Sequence, residues 1–320
     1  MNNFLPISTS ATKPSKHTHA KHRSAMKKIA YLILAHSDAT HLGALVKSIS
    51  TCADVYIHLD AKANLSEFAS TCPASAIFIE ERVDVAWAGM SMIDALLNLI
   101  RAALPFSERY THFVFITGSD YPIKPEKQIS DIFTSAPERE FIKYIDMRDS
   151  PEHYLKLITR KQFLEPFIKT NNRPLIFTDK LIRKTLRALG IPNKWNNDMI
   201  PYFGHTWCAL TPSCCEYILN FHTNNPWFYE VNKHTFSPDE HYFHTIVGNS
   251  PFNENADGLQ TYEGRGLWRL VNFHLICPSL QKWFSLNDWE EISKSDKLFV
   301  RKVNSNTGKE LVKKINTDIV

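Results

Sequence analysis

The run Ile29 to Ala35 (IAYLILA) is apolar at every position, with Lys27-Lys28 before it and His36-Ser37-Asp38 after it. A strand with no polar alternation must be covered on both faces, which is the condition of a central parallel strand. The pattern returns in Val55 to Leu59 (VYIHL), ending at Asp60, and in Ile77 to Ile79, ending in acids. It returns again in Phe113 to Ile116 (FVFI), ending in Thr117-Gly118-Ser119-Asp120. Two helical patterns lie between these runs. Leu42, Leu45, Val46 and Ile49 share one face of a 3.6-residue repeat, and so do Ile93, Leu96, Leu97 and Ile100. In the second, Ser91 stands three residues before Asp94, a capping arrangement. Strand, helix, strand, strand, helix, strand predicts an α/β, Rossmann-type protein with a mixed, largely parallel central sheet.

Ligands of such sheets bind outside the carboxyl ends of the strands. The polar sets His36-Ser37-Asp38, Asp60 and Ser119-Asp120 all fall there, which predicts a nucleotide-type pocket. No glycine-rich GxGxxG or GxxxxGK[ST] follows any strand, so the dinucleotide and P-loop readings fail. A net charge of +4, spread along the chain, argues against nucleic acid and fits a small anionic ligand. The six cysteines, at 52, 72, 208, 214, 215 and 277, form no CxxC pair and point to a reducing compartment.

The stretch TFSPDEHYFH, 235 to 244, supports two readings. In one it is a helix start: Ser237 as N-cap, Pro238 in the first turn, Glu240 closing a capping box, with Phe243, Ile246 and Val247 buried and Gly248-Asn249 as the stop. In the other, Glu240 is a general base kept ionised by the helix dipole. A zinc site on His234, His241 and His244 lacks HExxH spacing, so packed or solvated histidines are expected.

Nucleotide-sugar transferases of the α/β type commonly hold a divalent ion through Asp-x-Asp, and no two aspartates here are two residues apart. A diphosphate would then be met by lysine and arginine, of which the C-terminal third offers Lys282, Arg301 and Lys302. Residues 141–200 read as two or three helices with basic faces, interrupted at Pro174 and Pro192, and the chain beyond 201 is rich in aromatics. The expected organisation is a leader over 1–25 without the apolar core of a signal peptide, and one domain over 26–305. Within that domain 26–125 is the nucleotide half, 141–200 a helical insertion and 201–305 the acceptor and catalytic half, followed by a tail over 306–320. No run reaches the ~18 apolar residues of a membrane span, so a cytoplasmic protein is expected, with peripheral attachment at the inner membrane as an option.

Seven segments, taken together and in order, resemble the core-2/I-branching β-1,6-N-acetylglucosaminyltransferase family, glycosyltransferase family 14, which also holds peptide O-xylosyltransferases. They are IAYLILAH (29–36), VYIHLDAK (55–62), VAWAGMSMIDA (85–95), FITGSDYPIK (115–124), GHTWCALT (204–211), SPDEHYFHTI (237–246) and SDKLFVRKV (295–303). The resemblance implies a GT-A-like fold and metal-independent, inverting transfer from a UDP-sugar in a bacterial-type member, with no cofactor beyond the donor. It implies Glu240 as general base, and Lys302 with Arg301 and Lys282 on the diphosphate. Leu34, His36 and Asp60 would hold the uracil, with Trp87 and Ser91 in the next nucleotide-side motif. Asp120, Trp207, Asp239 and Trp268 are the candidate substrate contacts. The chain departs from the family pattern at His205-Thr206, where Ser-Gln is usual, and at Val300, where alanine is usual. It also lacks the many cysteines and the membrane anchor of the animal Golgi members.

The reaction implied is transfer of a sugar, N-acetylglucosamine first, to a hydroxyl of a glycan or glycolipid acceptor in surface polysaccharide or lipooligosaccharide synthesis. UDP-xylose is the alternative donor. From another class, the alternative is a non-catalytic carbohydrate-binding module. A glycoside hydrolase would need a second carboxylate across the bond, and Asp239 is adjacent to Glu240 in sequence.

Overall fold

The computed structural model describes residues 27–195 and 198–319; the leader expected over 1–25 lies outside them. The chain opens with β1 (Lys28–Ala35), α1 (Ala39–Ile49), β2 (Ala53–Leu59), α2 (Leu65–Thr71), β3 (Ile77–Phe78) and α3 (Ser91–Ala103). It continues with β4 (Tyr110–Thr117), β5 (Asp120–Pro122), α4 (Glu126–Thr134), β6 (Glu140–Asp146), α5 (Lys156–Thr159) and α6 (Arg173–Ala188). Then come β7 (Tyr202–Gly204), β8 (Ala209–Leu210), α7 (Pro212–Asn224), α8 (Pro226–Asn232), α9 (Tyr242–Gly248) and β9 (Ala256–Leu259). β10 (His274–Ile276), α10 (Trp289–Lys294), β11 (Phe299–Arg301) and α11 (Lys309–Asp318) complete the described chain.

The main sheet runs β3-β2-β1-β4-β8-β6-β7, with β9 beside β6. β3, β2, β1 and β4 are mutually parallel, while the pairings of β8 with β4 and β6, and of β6 with β7, are antiparallel. This is the mixed α/β sheet that the apolar runs predict. Side chains alternate across a strand, and β1 shows why every position is apolar. Ile29, Tyr31 and Ile33 pack with Leu42, Leu45, Val46 and Ile49 of α1, while Ala30 and Leu32 pack with Ile93, Leu96 and Ile100 of α3 on the other face. A second, three-stranded sheet, β10-β11-β5, pairs β11 antiparallel with β5, so that Arg301 lies opposite Asp120. This small sheet brings the C-terminal basic pair to the end of β4.

Several expectations are corrected. Residues 141–200 hold α5 and α6 but open with a strand instead of a helix: β6 buries Phe141, Ile142, Tyr144 and Ile145 in the sheet. Its aromatic and branched residues suit a pleat covered on both sides, and the charges of EFIKYID hide that in the sequence. Pro174 sits in the first turn of α6 instead of interrupting it, where its missing N–H costs nothing. The segment over 306–320 carries α11, which buries Leu311 and Ile315 in the core and receives the Tyr121 hydroxyl on Asn316 Oδ1 at 2.9 Å. α2 had no counterpart among the expected elements.

Candidate active site

β1 aligns Ala35 with Leu59 of β2 and Leu34 with Thr117 of β4, so three carboxyl ends come abreast. The Asp60 N–H donates to Ala35 O at 2.8 Å and the Gly118 N–H to Leu34 O at 2.9 Å, locking the exits of the strands together. Over these ends lies a cleft of about 740 Å³. Leu34, His36, Asp60, Thr117 and Ser119 form its floor, and His205, Thr206, Trp207, Ser237, Asp239, Glu240, Ile276, Trp283, Arg301 and Lys302 also line it. Trp87, 77% exposed, stands at the rim with its ring 5.8 Å from that of Phe236.

The cations differ in their commitments. Arg301 is held by Asp120 Oδ1 at 2.9 Å and by the Thr117 hydroxyl, and lies over Trp207 with its guanidinium carbon 5.0 Å from the ring centroid. Asp120 is fully buried and also meets His274 Nε2 at 3.2 Å. Burial raises its pKa, but Arg301 and His274 outweigh that and hold it well below the usual carboxylate range. Among the described residues no carboxylate pairs with Lys302. Its ammonium lies 5.9 Å from the Trp283 ring centroid, and burial, then Arg301, lowers its pKa. A desolvated, unpaired cation beside a second cation is arranged for an anion.

The same cleft also holds acids. Ser237, Pro238, Asp239 and Glu240 form a single 3₁₀ turn before α9, not the expected capped start of one helix. Ser237 has left-handed backbone (φ 50°) and makes no side-chain cap. Its N–H donates at 3.0 Å to the carbonyl of Ala88, itself at φ 58°. Each such residue costs on the order of 1–3 kcal/mol, and both line the cleft. The Asp239 carboxylate accepts from the Thr206 hydroxyl at 2.8 Å. Among the described residues no hydrogen bond reaches the Glu240 carboxyl. Burial, then the charge of Asp239, raises the Glu240 pKa well above its ordinary value, reversing the dipole effect expected from the sequence. A carboxylate so placed holds a proton more tightly than a solvated one, which is the property of a base.

A model of the Core-2/I-Branching enzyme family matches residues 29–263, well over half of the chain. The chain belongs to that family. Core-2/I-branching relatives include human N-acetyllactosaminide β-1,6-N-acetylglucosaminyl-transferase, 24% identical over 226 residues that span 68% of this chain and 52% of that protein. A Ciona intestinalis xylosyltransferase is 23% identical over 219 residues, 67% of this chain and 22% of its own length. The chain spans about half the length of the acetylglucosaminyltransferase relatives it matches. The solved apo form of mouse xyloside xylosyltransferase 1 superposes with a TM-score of 0.36 at 8% identity, over 87% of this chain and 99% of that one. Arg301 and Lys302 lie beyond the family match, so their place in the site rests on geometry.

In this core-2/I-branching chain the cleft brings together Leu34, His36, Asp60, Trp87, Trp207, Asp239, Glu240, Arg301 and Lys302. Four expected positions stand elsewhere. Lys282 turns away from the cleft to Asp288 at 2.7 Å, although its neighbours Gln281 and Trp283 both line it. Ser91 forms no helix cap; its hydroxyl donates to Glu165 Oε1 at 2.7 Å and accepts from the Ala86 N–H at 2.8 Å, bracing the Trp87 turn from behind. Asp120 lies beneath the floor and acts on the cleft through Arg301. Trp268 is outside, stacked with Arg269 at 4.8 Å. The histidines are occupied: His241 meets Thr235 at 3.1 Å and His244 meets the His205 carbonyl at 3.1 Å. Sequence reading passed over Lys62, which bridges Asp60 at 3.1 Å and Asp84, and over Trp283. Lys62 was legible in VYIHLDAK, whereas nothing signalled Trp283.

Proposed function

We propose that this protein is an inverting glycosyltransferase that moves a sugar, N-acetylglucosamine first among candidates, from a UDP-sugar to a hydroxyl of a glycan or glycolipid acceptor. One observation carries the reading: a single cleft at the strand ends is lined by an ammonium with no carboxylate partner among the described residues, a guanidinium, and a carboxyl with no hydrogen bond among the described residues. Family membership supports the reaction class, and relatives named as acetylglucosaminyl- and xylosyltransferases supply the two donor candidates.

In this mechanism Glu240 accepts the proton of the acceptor hydroxyl as its oxygen attacks the anomeric carbon. The bond from that carbon to the diphosphate oxygen breaks on the opposite face, and its electron pair leaves with UDP. Lys302 and Arg301 stabilise the developing negative charge, the task a divalent ion performs where one is held. Arg301 and Lys302 in the lining of the cleft support metal independence, because side-chain cations can carry the charge task of an ion. Six unpaired cysteines support a cytoplasmic setting, from which surface polysaccharide or lipooligosaccharide would be built.

A donor panel scored by mass spectrometry, run with EDTA or with manganese, tests this reading. Transfer from UDP-N-acetylglucosamine in both conditions is expected, and Glu240→Gln should lower turnover ~10²–10⁴-fold while sparing UDP binding. Transfer from UDP-xylose alone selects the other donor. Loss of activity in EDTA that manganese restores overturns metal independence, and full activity of Glu240→Gln overturns the base.

A further inference from the structure

We propose that α6 is a membrane-docking helix that lies in the interface of a bilayer carrying anionic lipid. The helix is attached to the body by a polar inward side: Asp179 accepts the Phe167 N–H at 2.9 Å and pairs with Arg183 Nε at 2.8 Å, and Arg183 donates onward to Leu164 O at 2.8 Å. Ile176 and Leu186 join these groups on the inward side, half-buried, whereas five other apolar side chains point the other way. Leu175, Phe177, Leu181, Ile182 and Leu189 are all exposed, Phe177 and Leu189 by 68% each. At ~100° per residue these five fall in one continuous sector of about 160°. On the edge of that sector, next to Phe177, stand Arg173, Lys180 and Lys184, none of them ion-paired among the described residues. Such an apolar sector is large for a soluble surface that, among the described residues, nothing covers.

Charge selects the occupant. From 166 to 195 the sequence has seven Lys and Arg and one acid, the buried Asp179. Two copies of this face would bring like charges together, which disfavours self-association. A nucleic acid would meet the cations and leave the apolar sector in water. An anionic bilayer satisfies both halves at once: the apolar sector enters the headgroup boundary and the basic edge stays with the phosphates. The position suits a lipid-carried acceptor. Glu165, just ahead of α6, accepts from the Ser91 N–H at 2.9 Å and so joins this region to the turn that carries Trp87 into the cleft.

Vesicle binding is scored without donor or acceptor, so its outcome is independent of the transfer reaction. The full chain is sedimented with phosphatidylcholine vesicles with and without phosphatidylglycerol. Binding is expected only with phosphatidylglycerol, weakening as sodium chloride is added. Phe177→Ser with Leu181→Ser, and separately Lys180→Gln with Lys184→Gln, should each weaken it roughly tenfold or more while the thermal melt stays put. No vesicle binding, equal binding to phosphatidylcholine alone, or indifference to both variant pairs overturns the proposal. So does a dimer by light scattering that the Phe177→Ser and Leu181→Ser pair abolishes.

Discussion

Replacing Lys302 by alanine removes a cleft cation that, among the described residues, carries no protein counter-charge, while Arg301 keeps its bond to Asp120. The expected outcome is a fall in turnover on the order of 10²-fold with weaker UDP binding, read by steady-state kinetics and calorimetry. The acids give a pH signature. Burial and Asp239 raise the Glu240 pKa, so the acid limb of kcat/KM should lie above the ordinary glutamate value of 4.5. Below that limb Glu240 is protonated and cannot accept a proton. Asp239→Asn removes the neighbouring charge and should move the limb downward, which a pH profile of the two proteins checks. At this scale the sequence motifs picked out Glu240, Arg301, Lys302, His36 and Asp60, which line one cleft, because each is the polar end of a strand or turn whose pattern is local. Lys282 and Ser91 do not line it, and the partners that hold these side chains, Asp288 and Glu165, are set by packing that sequence order does not report.

Elements made of apolar runs were the most legible. β1, β2 and β4 announce themselves because both faces are covered, whereas β6 carries Glu140, Lys143 and Asp146 and passed for helix. The small sheet β10-β11-β5 was not legible, because its strands come from distant parts of the chain and have three residues each. Yet that sheet fixes the site. Asp120 on β5 is wholly buried and bonds both Arg301 and His274. Asp120→Asn would leave those groups without their counter-charge and is expected to destabilise the fold by about 3–5 kcal/mol, measured by denaturant unfolding. Arg301 would also lose its anchor, so the weakening of UDP binding should accompany the loss of stability.

Across the whole molecule, the N-terminal strands and the C-terminal segment form one body. The Ser305 N–H donates to Asp38 Oδ2 at 2.7 Å, the Val303 N–H to Ser119 O at 2.8 Å, and α11 closes over the core beneath them. A tail expected to lie outside the domain is therefore part of its packing. Leu311→Ala should cost about 2–5 kcal/mol, with a matching drop in the urea midpoint. A merely appended tail would leave that midpoint unchanged. The expected division into halves missed this because sequence order does not report which distant segments meet.

The pairing of Arg301 with Asp120 also orders events during biosynthesis. The floor of the cleft is translated early, but Arg301 and Lys302, which would receive a diphosphate, leave the ribosome about sixty residues after Glu240 and dock against strands already made. A nascent chain arrested before β11 would hold the acid and the floor without Arg301 and Lys302, so the proposed donor site would mature only once the polypeptide has folded back on its own beginning.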